Sequence, residues 1–311
     1  MTAFKLLTYS DASGQPRAGV EIAGMVHDAA LLTGHAGDAT VLGMIEDWAA
    51  AEPRIAAAAA KAGAATQIGP MSGLTPLSPL LYPGSIFCAA ANYADHADAM
   101  ARKMGREGEP DPKSLGLKPF HFLKPVRQSV VGTGVEIELP DFAQKIDWEI
   151  ELAAVIGRKA RHVSVEDALS YVAGYTIAND VSVRDAQFMK RPNVPEGSLF
   201  KTDFISMKGF DKSCILGPCI TPAAQIGDPD NLAMKLWLDD ELMQNSNTGK
   251  MIFSTAEQIA YLSERVTLLP GDIVLTGTPA GTGAEQDRFL RPGQTIRMWI
   301  ENIGETRNKT A

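Results

Sequence analysis

The sequence predicts a strand-rich α+β protein with a small N-terminal α/β domain followed by a larger domain. Three observations favour this fold class: a length of 311 residues, a proline-rich connector after residue 75, and many short strand-like runs beyond residue 85. Compact domains commonly hold about 150 residues, so the length is enough for two of them. We therefore place the domains at residues 1–75 and 76–311.

The N-terminal domain begins with two strands and continues with a helix. Residues 5–9 and 19–26 are strand-like and are separated by a turn at 11–15. The alanine-rich stretch 48–65 favours a helix, which we expect Pro53 to interrupt. Prolines in the connector that follows disfavour helix and mark the domain boundary.

The larger domain begins with an apolar strand at residues 86–91. A polar stretch from Arg102 to Pro119 contains several glycines and prolines and is too long for an ordinary connection, so it predicts a lid or a surface excursion. Turns at Gly271-Asp272 and Pro292-Gly293 separate further strand-like runs near the C-terminus.

Composition and charge exclude several classes of partner. Hydrophobic residues make up 45% of the chain and charged residues 21%, as is typical of soluble globular proteins. The net charge is -8 and no run is rich in Lys or Arg, so we expect neither a nucleic-acid nor a membrane partner. Cys88, Cys214 and Cys219 lack CxxC spacing and favour reduced thiols. With no signal-peptide pattern, the expected location is cytoplasmic.

The segment from Ile146 to Leu152 alternates apolar residues with carboxylates. In a strand, Asp147, Glu149 and Glu151 would share one face. Two ionised carboxylates about 7 Å apart repel by roughly 2 kcal/mol at an effective dielectric constant of about 20. Two interpretations are open: a solvated outer sheet face, where water screens this repulsion, or a cation site.

A carboxylate some distance along the chain favours the cation site. The strand-like run from Tyr175 ends at Asp180. Two glutamates and one aspartate with no neighbouring His or Cys form an all-oxygen ligand set, which suits Mg²⁺ or Mn²⁺, with Ca²⁺ as a third candidate, better than zinc. An incompletely filled set of ligands would leave positions for water and substrate oxygens.

Six motifs, in one order, carry a resemblance to a known family. They are Asn92-Tyr93-x-Asp95-His96, Phe120-x-Phe122-Leu123-Lys124-Pro125, Asp147-x-Glu149-x-Glu151-Leu152-Ala153-x-Val155-Ile156-Gly157, Gly174-Tyr175-Thr176-x-x-Asn179-Asp180-x-Ser182-x-Arg184-Asp185, Lys208-Gly209-Phe210-Asp211-x-x-Cys214-x-x-Gly217-Pro218 and Thr276-Gly277-Thr278-Pro279-x-Gly281. Each motif alone is a weak signal, but the six in register resemble the fumarylacetoacetate hydrolase superfamily from about residue 82 to residue 311.

The resemblance implies a catalytic domain of the fumarylacetoacetate hydrolase C-terminal type, a mixed β-sandwich or roll that usually forms a homodimer and binds one Mg²⁺ or Mn²⁺. It also implies that Lys208 contacts the oxyanion or carboxylate of a 2-oxo acid, and that His96 is a base carried by a lid. The implied site consists of three metal ligands, two catalytic residues and three substrate-binding residues: Glu149, Glu151 and Asp180; His96 and Lys208; Arg184, Gln187 and Thr278.

The chemistry of such a site follows from its groups. Cleavage of an acylpyruvate between its carbonyls needs hydroxide as nucleophile and a pyruvate enolate as leaving group. A divalent cation and a nearby lysine stabilise negative charge on that enolate, and histidine side chains, which ordinarily titrate at about pH 6.5, can activate water.

We therefore expect a C–C bond hydrolase acting on acylpyruvates, as in aromatic or small-acid catabolism. Two alternatives use the same enolate: decarboxylation of an oxaloacetate-like acid and isomerisation of a hydroxydienedioate. A third is a non-catalytic, metal-stabilised binding protein.

One position departs from the family pattern. Related hydrolases commonly place a glutamate three residues after the histidine, where this chain has Ala99. Asp98 does not share a helix face with His96 and is a poor replacement. Unless an acid comes from elsewhere in the chain, we expect impaired hydrolysis that Ala99→Glu would raise. The remaining histidines are expected to be structural: His27, His35, His121 and His162.

Overall fold

The computed structural model describes residues 2–103, 105–189, 191, 193–195 and 197–311. Within these ranges the strands are β1 (Lys5–Ser10), β2 (Pro16–Ile22), β3 (Met25–Asp28), β4 (Gln67–Pro70), β5 (Thr75–Pro76), β6 (Ile86–Ala89), β7 (His121–Leu123), β8 (Val130–Val131), β9 (Glu136–Ile137), β10 (Ile146–Asp147), β11 (Ile150–Ile156), β12 (Val172–Asp180), β13 (Ser182–Val183), β14 (Cys214–Pro222), β15 (Ala233–Leu238), β16 (Glu241–Asn247), β17 (Ile273–Leu275), β18 (Thr295–Ile300) and β19 (Gly304–Thr310). The helices are α1 (Ala29–Thr33), α2 (Val41–Glu46), α3 (Trp48–Ala59), α4 (Ala94–Lys103), α5 (Val126–Ser129), α6 (Val165–Ala168), α7 (Ala186–Met189), α8 (Phe204–Lys208), α9 (Thr255–Arg265) and α10 (Gly283–Gln286).

A twelve-stranded mixed sheet forms the centre of the fold. Its main path runs β4-β3-β2-β1-β14-β12-β11-β17-β6-β7, with β5 paired to β1 and β8 paired to β14. A five-stranded sheet has the order β16-β15-β18-β19-β9, and β10 pairs with β13. The predicted strand-rich α+β class is confirmed.

The N-terminal residues share the large sheet with the rest of the chain. β1 pairs antiparallel with β14 at Leu6 and Ile220, so hydrogen bonding is continuous across the predicted boundary. The first expected strand is confirmed as β1, whereas a turn at Ala23-Gly24 divides the second, expected at 19–26, into the antiparallel strands β2 and β3. The division at residues 75 and 76 stays a prediction.

Helix α3 runs through Pro53 instead of stopping there, contrary to expectation. A proline inside a helix costs about 3 kcal/mol or more. One side of α3, however, buries Trp48 and Ile55 against the large sheet. Each such side chain contributes about 1.5–3 kcal/mol when fully buried, so their packing offsets the cost of the proline.

Strands β11 and β12 lie in the middle of the large sheet and are buried along their whole length. Alternate residues face two different apolar cores. Ile150 and Leu152 pack on one side, whereas Ala153 and Val155 pack on the other. This position, covered on both faces, gives any polar side chain carried by these strands an environment with little water.

The predicted lid begins as α4 and continues as an irregular segment; Met104 lies outside the described residues. The segment is tied to its surroundings at two points. The Asp98 carboxylate accepts a hydrogen bond from the Glu109 amide at 3.0 Å, and Lys113 pairs with Glu257 at 2.8 Å. In the part of the chain that the structure describes, every helix is too short or too polar to cross a membrane.

Candidate active site and metal centre

The three predicted metal ligands meet where β11 pairs with β12. Antiparallel pairing sets Glu151 opposite Ala178, and the Asp180 amide donates to the Glu149 carbonyl at 3.0 Å. One carboxylate oxygen from each of Glu149, Glu151 and Asp180 lies within 4.8 Å of the other two. These side chains belong to residues only 4%, 1% and 1% exposed, so the solvated-face interpretation is wrong.

The carboxylate strand is broken in its middle, which separates Asp147 from the glutamates. β10 ends at Asp147 and β11 begins at Ile150. Between them, buried Trp148 donates its indole N–H to the Gly281 carbonyl at 3.1 Å, and the Glu149 amide donates to Asn179 Oδ1 at 2.9 Å. Because of this break, Asp147 lies outside the carboxylate cluster instead of sharing its face.

Two cationic side chains, Lys208 and Arg184, bind the carboxylates directly. Lys208 Nζ lies 2.8 Å from Glu149 Oε2 and 2.6 Å from Asp180 Oδ2, and its expected contact with a 2-oxo acid stays a prediction. The guanidinium of Arg184 donates to the other oxygen of Glu149. A buried carboxylate needs such partners because burial without them costs several kcal/mol.

Lys124 supplies a third cation that the sequence placed in a motif but did not identify as part of the site. Its fully buried ammonium lies 2.7 Å from Asp180 Oδ1. It also donates to the backbone carbonyls of Val181, Lys208 and Ser213 at 3.2, 2.6 and 2.9 Å. A lysine directly after an apolar strand and before Pro125 was the available signal, but its partners lie far along the chain.

Glu151 and Asp180, two acids of the cluster, have pKa values shifted in opposite directions because their surroundings differ. Burial, followed by the negative charge of Asp180, raises the pKa of Glu151 well above its ordinary range. Burial would also raise the pKa of Asp180, but Lys124 and Lys208 outweigh it and leave that pKa lowered. The only direct polar contact of Glu151 in the described residues is the Gly277 amide, 2.6 Å from Oε2. The cluster is therefore short of positive charge beside Glu151.

This deficit fits a divalent cation. The donor set consists only of carboxylate oxygens, as Mg²⁺ and Mn²⁺ prefer. Asp180 Oδ1 accepts no hydrogen bond of regular geometry among the described residues, although Lys124 lies close to it. The structure thus confirms that Glu149, Glu151 and Asp180 form a buried cluster able to hold the predicted metal.

His96 has an acid partner after all, and it comes from the other end of the domain. His96 Nδ1, on α4, lies 2.5 Å from Glu285 Oε1 on α10. The second oxygen of Glu285 accepts the Gly281 amide at 2.7 Å. The structure therefore favours the alternative left open above, in which the acid that partners His96 comes from elsewhere in the chain. The Thr282-x-x-Glu285 spacing, typical of a helix start, was the signal that sequence reasoning missed.

A single loop, residues 276–286, links the histidine pair to the carboxylate cluster. Near its start the Gly277 amide binds Glu151, and near its end Glu285 binds His96. Gly277 has a φ of +96°, and a Cβ there would come within 2.8 Å of the Asn92 side chain. Glycine is required at this close approach.

The three predicted substrate-binding residues have different surroundings. Arg184 contacts Glu149, as described above. The Thr278 hydroxyl donates to the Ile150 carbonyl at 2.9 Å and accepts from Gln244 at 2.9 Å. Gln187 lies on the exposed face of α7, and among the described residues no contact joins it to the carboxylates. Substrate binding by the three residues stays a prediction.

Comparison with known proteins agrees with this geometry. Residues 85–311 match the family model described as Fumarylacetoacetate (FAA) hydrolase C-terminal. The human mitochondrial oxaloacetate tautomerase FAHD2B is 38% identical over 242 residues, covering 77% of this chain and 70% of that protein.

Two solved structures cover almost the whole chain. Fumarylacetoacetate hydrolase from Exiguobacterium antarcticum has a TM-score of 0.78 at 27% identity and covers 99% of both chains. Maleylpyruvate hydrolase from Sphingobium sp. SYK-6, in complex with manganese(II) and pyruvate, has a TM-score of 0.73 at 29% identity and covers 99% of this chain and 98% of its own. With its buried carboxylate cluster and these similarities, the chain belongs to the fumarylacetoacetate hydrolase family.

Proposed function

We propose that this chain is a metal-dependent tautomerase that interconverts the enol and keto forms of a 2-oxo dicarboxylic acid of the oxaloacetate type. One observation carries the proposal: the His96–Glu285 pair lies at one end of the loop whose other end binds the metal ligand Glu151. A proton carrier is thereby tied to a cation-binding centre. The 38% identity to the human oxaloacetate tautomerase supports the same substrate class.

The reaction moves one proton between the 2-oxygen and carbon 3 of the substrate. In the keto-to-enol direction, His96 takes a proton from carbon 3, and the bond electrons shift to the 2-oxygen, which is then protonated. Glu285 orients the imidazole and stabilises its charged form while it carries the proton. The reverse direction uses the same groups.

Positive charge is needed where the enolate develops. When bound by Glu149, Glu151 and Asp180, a divalent cation supplies Lewis-acid stabilisation of negative charge on the substrate oxygens. Lys208 adds a fixed ammonium close to the same carboxylates, and Arg184 offers N–H donors to a substrate carboxylate.

Acylpyruvate hydrolysis is the second candidate. It is favoured by the His96–Glu285 pair, which is suited to activating water, and by the similarity to a maleylpyruvate hydrolase that binds manganese(II) and pyruvate. Hydroxide would add to the distal carbonyl, the C–C bond would break, and the pyruvate enolate would leave and be protonated. Both candidates share the enolate and differ in the need for a positioned water.

One experiment separates the candidates. Full-length protein loaded with Mn²⁺ is mixed with freshly dissolved enol-oxaloacetate, and loss of the enol absorbance is followed alongside release of pyruvate and of carbon dioxide. We expect faster loss of the enol without either product, and no acceleration after chelation. A parallel assay with maleylpyruvate measures hydrolysis. Enol decay at the uncatalysed rate would refute the tautomerase proposal, and rapid cleavage of maleylpyruvate would replace it with the second candidate.

A further inference from the structure

Asp147 lies next to the metal ligands without belonging to them, and all of its hydrogen-bonding capacity is used. It is fully buried. Its Oδ1 accepts the amides of Trp148 and Gly283 at 2.9 and 2.6 Å. Its Oδ2 accepts the Ala284 amide and Arg184 Nε, both at 3.1 Å. Three of these four donors lie 37, 136 and 137 residues further along the chain.

The two amides of α10 are the important partners, because they begin the turn that carries Glu285. α10 has only four residues, too few to form a stable helix without support from its surroundings. A Cβ at Gly283 would overlap the Arg288 carbonyl oxygen and come within 2.8 Å of Asp147 Oδ1. The Asp147 carboxylate therefore packs directly against the start of this turn.

We infer that Asp147 is a positioning residue that aligns Glu285, and through it His96, with the carboxylate cluster; its effect on catalysis rests on the proposed function. It holds the first two amides of α10, and Glu285 follows one residue later. On its other side it binds Arg184, which also contacts Glu149. Asp147 thus connects the metal ligand and the acid–base pair within a single set of hydrogen bonds.

Asp147→Asn tests this role with almost no change in size. In Asn an NH₂ group replaces one of the two carboxylate oxygens. Because NH₂ cannot accept a hydrogen bond, the donors that face that oxygen in the wild type lose their acceptor. Misplacement of a reacting group by about 1 Å costs on the order of 10²-fold, and we expect this loss of turnover in Asp147→Asn. In a Glu285→Gln background the same substitution should cost less than about 3-fold, because the two residues act as one unit.

A spectroscopic measurement makes the test independent of the substrate. A proton held between His96 Nδ1 and Glu285 gives a downfield proton resonance in the full-length enzyme, identified by its absence in Glu285→Gln. We expect Asp147→Asn to lose this resonance while its Mn²⁺ affinity changes by less than about 3-fold, since the three ligands are retained. The matched control is Asp272→Asn, another buried carboxylate that accepts a backbone amide, from Leu269 at 2.7 Å. It should keep both resonance and turnover.

Circular dichroism and thermal unfolding check the fold of each variant. If Asp147→Asn does not fold, Ala284→Pro removes one of the same hydrogen bonds from the other side, and proline is tolerated in the first turn of a helix. A folded variant of either kind that keeps the resonance overturns the inference. The inference also fails if the losses of turnover caused by Asp147→Asn and Glu285→Gln multiply in the double variant. Wild-type protein that shows the resonance but does not turn over enol-oxaloacetate would refute the proposed function. The positioning role of Asp147 would then still be decided by whether Asp147→Asn loses the resonance.

Discussion

The carboxylate cluster and the His96–Glu285 pair are joined by one loop, yet they are built on different kinds of structure. The cluster stands on β11 and β12, two long strands paired in the middle of the large sheet, with Glu149 directly before β11. The pair stands on the contact of α4 with the four-residue α10, and its two side chains are 13% and 11% exposed. Like charges are held on the long strands of the sheet, and the proposed proton carrier lies on the shorter and more exposed elements.

The difference has a physical reason. Carboxylates that repel one another keep their positions only when backbone and fixed cations hold them, and β11, β12, Lys124 and Lys208 supply both. A proton carrier must instead change its charge during each turnover, which is costly in a fully buried position. The partial exposure of His96 and Glu285 reduces that cost.

Loss of a metal ligand is the largest expected effect and tests whether the two regions are separate. Glu149→Gln leaves an incomplete ligand set, and loss of several kcal/mol of charge stabilisation lowers turnover by about 10³-fold or more. Mn²⁺ binding, measured by calorimetry, should disappear with it. His96→Gln should keep Mn²⁺ binding while losing turnover. Mn²⁺ binding lost in both variants would contradict the separation.

Removal of the charge of Lys208 should have the next largest effect. Lys208→Met keeps the length of the side chain but leaves Glu149 and Asp180 without their shared ammonium, so we expect turnover to fall by about 10²-fold. Measured Mn²⁺ affinity should not fall, because less positive charge competes for the carboxylates. Lys212→Met, at a surface lysine paired with exposed Glu138, is the control. Unchanged kinetics in Lys208→Met would remove this lysine from the mechanism.

The acid partner of His96 provides a smaller effect. Glu285→Gln should lower turnover by about 10-fold to 10²-fold. The imidazole keeps a hydrogen-bond partner, but that partner no longer carries a negative charge. Ala99→Glu should give no gain, since Glu285 already occupies the Nδ1 side of the ring at 2.5 Å. A steady-state assay on the same substrate measures both. A gain from Ala99→Glu together with no loss from Glu285→Gln would restore the original expectation of an impaired base.

The same difference explains what the sequence could predict. Glu149 and Glu151 lie two residues apart, and a strand-like run points to Asp180, so local patterns were enough to find the cluster. Glu285 lies 189 residues from His96, and only the packing of α10 against α4 brings them together. Lys124 was missed for a similar reason, because its role depends on three carbonyl groups that lie 57, 84 and 89 residues away in the chain. The break at Trp148 was invisible because alternation alone predicts an unbroken strand.

The smallest expected effect concerns His121, which, unlike His96, has no carboxylate partner among the residues that the structure describes. It stacks on Tyr261 with ring centroids 6.0 Å apart, and its Nε2 lies 3.4 Å from the Gln258 amide oxygen. Burial lowers the pKa of His121 to about 4. In the unfolded chain a histidine titrates at about 6.5, so the unfolded state gains a proton first as the pH falls.

Neutral His121 therefore stabilises the fold above about pH 6.5, and this contribution is lost as the pH falls from there toward about 4, by at most roughly 1.4 kcal/mol per pH unit. His121→Phe keeps the stacking on Tyr261 and removes the titration. Urea unfolding at intervals across this range should show that the free energy of unfolding falls less steeply with decreasing pH in the variant. Between pH 7.5 and 9, where His121 is protonated in neither state, the free energies of unfolding of the two proteins should differ by a constant amount. If the free energy of unfolding changed with pH equally in both proteins below pH 6.5, the charged ring of His121 would have to gain a partner on protonation. A histidine of this fold would then not need a carboxylate such as Glu285 to carry charge.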